Sequence, residues 1–165
     1  MIELQEKPAA APSTYQEWLD CFARMRERSL SENVDFEALA FGSFSGTSSM
    51  QAALERQMVD TINAVLNKSV KRFVRDLNER IAFHELAQVD VLFKRFKRDI
   101  NKTIFFLDLP FLSGEFKDEL YASITGQMAE FWDDTVGFLR RQAMDHSNSD
   151  LEDALFLIRR IRLFS

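Results

Sequence analysis

Residues 49–109 read SMQAALERQMVDTINAVLNKSVKRFVRDLNERIAFHELAQVDVLFKRFKRDINKTIFFLDL, with neither Gly nor Pro anywhere in the run. In its first half the apolar residues fall at Met50, Leu54, Met58, Ile62, Leu66, Val70, Phe73, Leu77 and Ile81. Steps of three and four match one face of an α-helix and no strand alternation. Thr47, Ser48 and Ser49 after Gly46 offer N-caps, and Pro110 and Gly114 close the far end.

A straight helix over this run would be about 90 Å long, against about 40 Å for a compact chain of this size. The apolar positions mostly advance by four, so the stripe drifts round the cylinder and does not hold the 3.5-residue period of a leucine zipper. By Phe93, Phe96, Ile100 and Ile104 the face has turned by roughly a third of a circle from Phe73 and Leu77. A bend or break between Phe83 and Val91 is expected, with one curved helix as the alternative.

The chain of 165 residues is long enough to bury a core without disulfides or metal. Five Gly, three Pro and the lack of turn-flanked β-branched runs exclude an all-β fold. The expected class is all-α: a bundle of four to six helices around the long central one. Residues 1–12, with Pro8 and Pro12, read as a flexible leader, and 13–165 as a single helical domain. A Thr14-x-x-Glu17 capping box opens a first helix ending near Arg28, and a short helix is expected over about 35–41. Ser113 caps a helix running to about Met144, and Ser149 caps a last one with apolar positions from Leu151 to Phe164. Gly126 and Gly137, close to three turns apart, suggest a line where another backbone approaches.

Charge is laid out in blocks. Residues 1–60 carry five basic and ten acidic side chains, 68–102 ten and five, and 103–165 six and eleven, within a net charge of −5. The plain explanation is that acidic flanking helices cover the basic middle. The competing reading is nucleic-acid binding by Lys94, Arg95, Lys97, Arg98 and Lys102, interleaved with Phe93 and Phe96 and extended by Lys68, Lys71, Arg72 and Arg75. Against it, the phenylalanines belong to the buried stripe and would not be free to stack on bases.

No Walker loop, dinucleotide glycine pattern, Gly-x-Ser-x-Gly elbow or His-Glu-x-x-His occurs. Two histidines, His84 and His146, and the single Cys21 cannot build a multi-His or Cys-based metal centre. Glu130, Asp133 and Asp134 cluster on one helix and could hold Mg²⁺ or act as an acid/base pair, but read first as a solvated face or as partners for the basic segment. The expectation is a protein that is not an enzyme, without catalytic, cofactor-binding or metal residues and without a cofactor. It would act as a protein-interaction module in the cytoplasm, with a protein partner or a homo-oligomer. Nucleic acid ranks second as partner and a membrane surface third, since the acidic start of the last helix opposes an anionic surface. The partner surface is placed at Phe105, Phe106 and Phe111: adjacent Phe105 and Phe106, about 100° apart, cannot both face the centre of one stripe. Cover from flanking helices of the same chain is the alternative.

Overall fold

The computed structural model describes residues 11–27, 39, 41–83, 85, 88–146, 149–158 and 160–161, without the side chains of 105, 106, 145, 146, 149 and 150. The chain is all-α, and its described residues form a bundle of five helices: α1 (Tyr15–Glu27), α2 (Ser48–Ala82), α3 (Val89–Ile104), α4 (Gly114–His146) and α5 (Ser149–Ile158). A single 3₁₀ turn, Phe105–Asp108, follows α3. Residues 1–10 of the expected leader fall outside the described residues, as does most of the short helix expected over about 35–41; Pro12, at the leader's end, is buried, and its carbonyl accepts from the Ser43 N–H at 3.0 Å.

The helix starts follow their capping chemistry. Glu17 Oε2 accepts from the backbone N–H groups of Ser13 and Thr14 at 2.7 and 3.2 Å, and Thr14 Oγ1 accepts from the Glu17 N–H at 3.2 Å. Those two backbone donors hold the exposed Glu17 carboxyl below its ordinary pKa. Thr47 Oγ1 caps α2 through the Met50 N–H, and Ser113 Oγ caps α4 through the Phe116 N–H.

The central run does break. α2 ends at Ala82, capped by Phe83, whose N–H returns to the Glu79 carbonyl, and α3 begins at Val89 with Asp90 in its first turn. The break lets α3 fold back on α2, and the drift of the apolar face then becomes an advantage. Phe73 of α2 meets Phe93 and Phe96 of α3 at ring-centroid distances of 5.0 and 4.8 Å. The middle of α4 closes the same cluster: Phe131 lies 5.9 Å from Phe73, and Trp132 lies 4.8 Å from Phe93. Such contacts are worth about 0.5–1.5 kcal/mol each beyond the area they bury.

A second cluster secures the N-terminal end. Trp18 of α1, fully buried, packs at 5.1 Å on Phe111 and donates its indole N–H to the Ser43 carbonyl at 2.9 Å. α1 packs on α2, while α5 packs on α4 and α3. α5 stops at Ile158, short of Ile161 in the expected apolar pattern, and closes through Arg160 and Ile161 N–H bonds to Leu157 and Ile158 carbonyls; Phe164 lies outside the described residues. Arg160 therefore lies past the helix end, where its guanidinium covers the Phe156 ring at 5.1 Å.

The glycine line on α4 is not a helix crossing. A Cβ at Gly126 would meet no atom within 4 Å, and one at Gly137 would touch only the flexible Arg141 guanidinium at 3.6 Å. Periodicity aligned them, but they face away from the core. Gly42 is the close approach instead: its Cβ would lie 2.5 Å from the Trp18 ring and 2.9 Å from the Leu39 carbonyl. Gly42→Ala should therefore lower stability by about 1–3 kcal/mol through overpacking. Gly126→Ala should raise it by about 0.5–1 kcal/mol through helix propensity. Paired denaturant titrations of the two variants check both signs.

Candidate interaction surfaces

The basic segment divides when it folds. Phe93 and Phe96 are buried in the aromatic cluster, so neither ring can stack on a base. Lys97 lies about 160° round α3 from Arg95, so the five basic residues of α3 do not share one face. Lys94 is exposed and pairs with Asp90 at 3.2 Å, one turn back, and Arg98 is exposed. Lys97 and Lys102 are half-buried. Arg95 turns into the α2–α3 interface and binds Asp76, which also accepts from Arg75 at 3.1 Å and stands 4.0 Å from Arg72. These ion pairs end on carboxylates of the same segment, so at Arg95, Arg75 and Lys94 the neutralisation comes from within the segment and not from the acidic flanks.

Two carboxylates share this interface and are treated in opposite ways. Burial pushes Asp76 up, but hydrogen bonds and charge from Arg75 and Arg95 outweigh it and hold its carboxyl below the ordinary value. Asp99 lines a small cleft with Ser69, Arg72 and Arg95, over Phe73 and Phe96. It is only 4% exposed, and its Oδ1 has no hydrogen-bond partner. Burial raises its pKa, opposed in part by the charges of Arg98, Lys102, Arg72 and Arg95. The cleft is closed to a water-sized sphere, which leaves the orphaned oxygen dry.

The pH signs follow. Asp76, with a depressed folded pKa, adds stability above its unfolded pKa, and that is lost as pH falls through the folded value. Asp99, with a raised folded pKa, binds its proton more tightly in the native state. Its ionisation removes stability as pH climbs from the ordinary carboxylate range through the raised value.

Of the expected partner surface, Phe111 is half-buried between Trp18 and Phe44, at 5.1 and 6.1 Å, and its carbonyl accepts from the Gln51 amide at 3.1 Å. The same chain thus covers much of that ring. The side chains of Phe105 and Phe106 lie outside the described residues. Glu130, Asp133 and Asp134 are all exposed on α4, and no three His, Cys, Asp or Glu among the described residues converge to hold a metal ion. His84 and the His146 side chain are outside the description. Cys21 is buried, and burial raises its thiol pKa against the opposing charge of Arg24.

An open apolar surface appears elsewhere, at the α4–α5 corner. Arg140, Ala143 and Met144 form one wall of a groove of about 350 Å³, and Glu152, Leu155 and Phe156 form the other. Met144 is 74% and Phe156 61% exposed, and Leu157 beside them is also exposed. The signal was in the sequence: Phe156 sits about 140° round α5 from Leu151, away from the buried stripe of Leu151, Leu155 and Ile158.

Comparison with protein-family models, with curated proteins and with solved structures returns no match. Among the described residues no helix is long and apolar enough to cross a membrane.

Asp76→Asn should lower stability at neutral pH by about 1.5–3 kcal/mol, the range for a hydrogen bond to a charged group. Asp99→Asn should raise it and abolish the loss of stability that accompanies Asp99 ionisation. Thermal melts of both variants from acid to neutral pH read the two signs.

Proposed function

We propose that this chain is a non-enzymatic protein-interaction module, an adaptor or a regulatory or structural subunit, and that the α4–α5 groove is its docking surface. The observation that carries this reading is the joint exposure of Met144 and Phe156 on the walls of an open groove; Phe41 and Phe83 are also exposed, but neither lines this groove. A contiguous apolar patch with polar rims is the usual mark of a contact surface. Photo-crosslinking tests it. Benzoylphenylalanine at position 144 or 156 should yield covalent protein adducts in cells expressing the chain, while the same probe at exposed Tyr121 should yield none. Absence of adducts from both groove positions would refute the reading.

Nucleic-acid binding is the second reading, favoured by exposed Lys68, Lys71, Arg75, Lys94 and Arg98 on the outer faces of α2 and α3. Phosphate contacts would make affinity fall steeply with salt, and Lys71→Glu with Arg98→Glu would flatten that slope. The expected outcome of a fluorescence-anisotropy titration at physiological salt is no binding. A micromolar complex that the double variant weakens would reverse the order of the two readings.

A further inference from the structure

The two walls of the α4–α5 groove are built to one plan. On α4, Arg140, Ala143 and Met144 occupy positions i, i+3 and i+4, which share one helix face. On α5, Glu152, Leu155 and Phe156 repeat the same spacing. Each wall thus presents one charge followed by two apolar side chains, and the charges are opposite. Neither Arg140 nor Glu152 makes an ion pair or hydrogen bond with another described residue, although both flank the groove. Between them the apolar side chains of Met144 and Phe156 stand open to solvent.

A surface of this kind is complementary to itself. An isologous two-fold interface brings the same patch of both subunits together, so residue i meets j and j meets i. A patch of one charge sign cannot meet its own copy without like-charge repulsion, whereas an apolar centre flanked by one cation and one anion can. The two charges on the groove walls, Arg140 and Glu152, cancel even though the whole chain carries −5, and Arg160 adds a third charge over the Phe156 ring. We infer that the occupant of the groove is a second copy of this chain, docked about a two-fold axis. The axis sets Arg140 of each copy against Glu152 of the other and buries Met144 and Phe156 at the centre. This identification rests on the groove being the docking surface, as proposed above, and adds the chemistry of what covers it. A desolvated aromatic at the centre of a patch is the usual energetic anchor of such an interface, and flanking charges fix its register.

The test is sedimentation-velocity and light-scattering mass measurement of the full chain over a dilution series. The wild type should weigh twice the 19.2 kDa of one chain at micromolar concentration. Phe156→Asp should be monomeric with unchanged helical circular dichroism. Arg140→Glu and Glu152→Arg should each weaken the dimer by about tenfold or more, because each converts two attractive contacts into like-charge ones. The decisive sample is an equimolar mixture of these two single variants. In an isologous interface their heterodimer regains both attractive pairs, so association should return to within about threefold of wild type. A wild type that stays monomeric at 100-fold dilutions above and below the micromolar range overturns the inference, as does a dimer indifferent to all three substitutions or a mixture no tighter than its components. A monomer whose groove probes crosslink to a different polypeptide sinks the second-copy inference and leaves the docking surface standing. A monomer whose groove probes crosslink to nothing sinks both.

Discussion

The structure depends on Phe73. Its ring is the meeting point of three helices, touching Phe93 and Phe96 from α3 and Phe131 from α4. A ring in the middle of α2 can be covered by residues twenty positions later only if the chain reverses direction between them. The break between α2 and α3 is therefore a requirement of burying Phe73, not a local failure of helix propensity, and no Gly or Pro marks it. Once α3 returns along α2, α4 reaches the same cluster through Phe131 and Trp132. Trp18, Phe22 and Phe111 then close the far end of α2 independently.

That reversal also determines what the basic segment becomes. Folding α3 on α2 brings Arg95 to Asp76 and sends Asp99 to a dry position without a partner for its Oδ1. One carboxylate is thus held in its charged form by arginines while a second, in the same interface, is penalised for being charged. Burial of Phe93 and Phe96 removes the aromatic half of a single-strand binding surface, and internal ion pairs reduce the electrostatic half. What looks in the chain like one basic, aromatic ligand run is, in space, a packing stripe with charged edges.

The open corner arises from a mismatch of lengths. α4 runs for 33 residues, about 50 Å at 1.5 Å per residue, while α5 spans only ten. A helix of ten residues can bury Leu151, Ala154, Leu155 and Ile158 against α3 and α4, but Phe156 and Leu157 are left exposed, with Arg160 across the Phe156 ring. Function, in this reading, resides where the bundle is too short to finish its own core.

Much of the fold was legible because helix formation is a local matter. The three-and-four spacing from Met50 to Ile81, the Thr14 to Glu17 capping box and the Ser113 cap involve residues within a few turns of each other, and each has the structure its spacing implied. Even the break could be inferred, since drift of the apolar face is a property of the sequence alone. The end of α5 was not, because the apolar spacing continues through Ile161, three residues past the last helical residue, Ile158. The proposed interaction surface was legible only in part: that some apolar side chains exceed what one stripe can bury follows from counting faces. Which of them remain open depends on neighbours distant in the chain. Trp18 and Phe44 cover Phe111, which has no sequence sign of being covered, whereas Phe156, with the Arg160 guanidinium over its ring, stays 61% exposed. Gly42 and Gly126 make the same point. A glycine's spacing says which side of a helix it occupies, but only the packed tertiary structure decides whether that side meets a tryptophan or water.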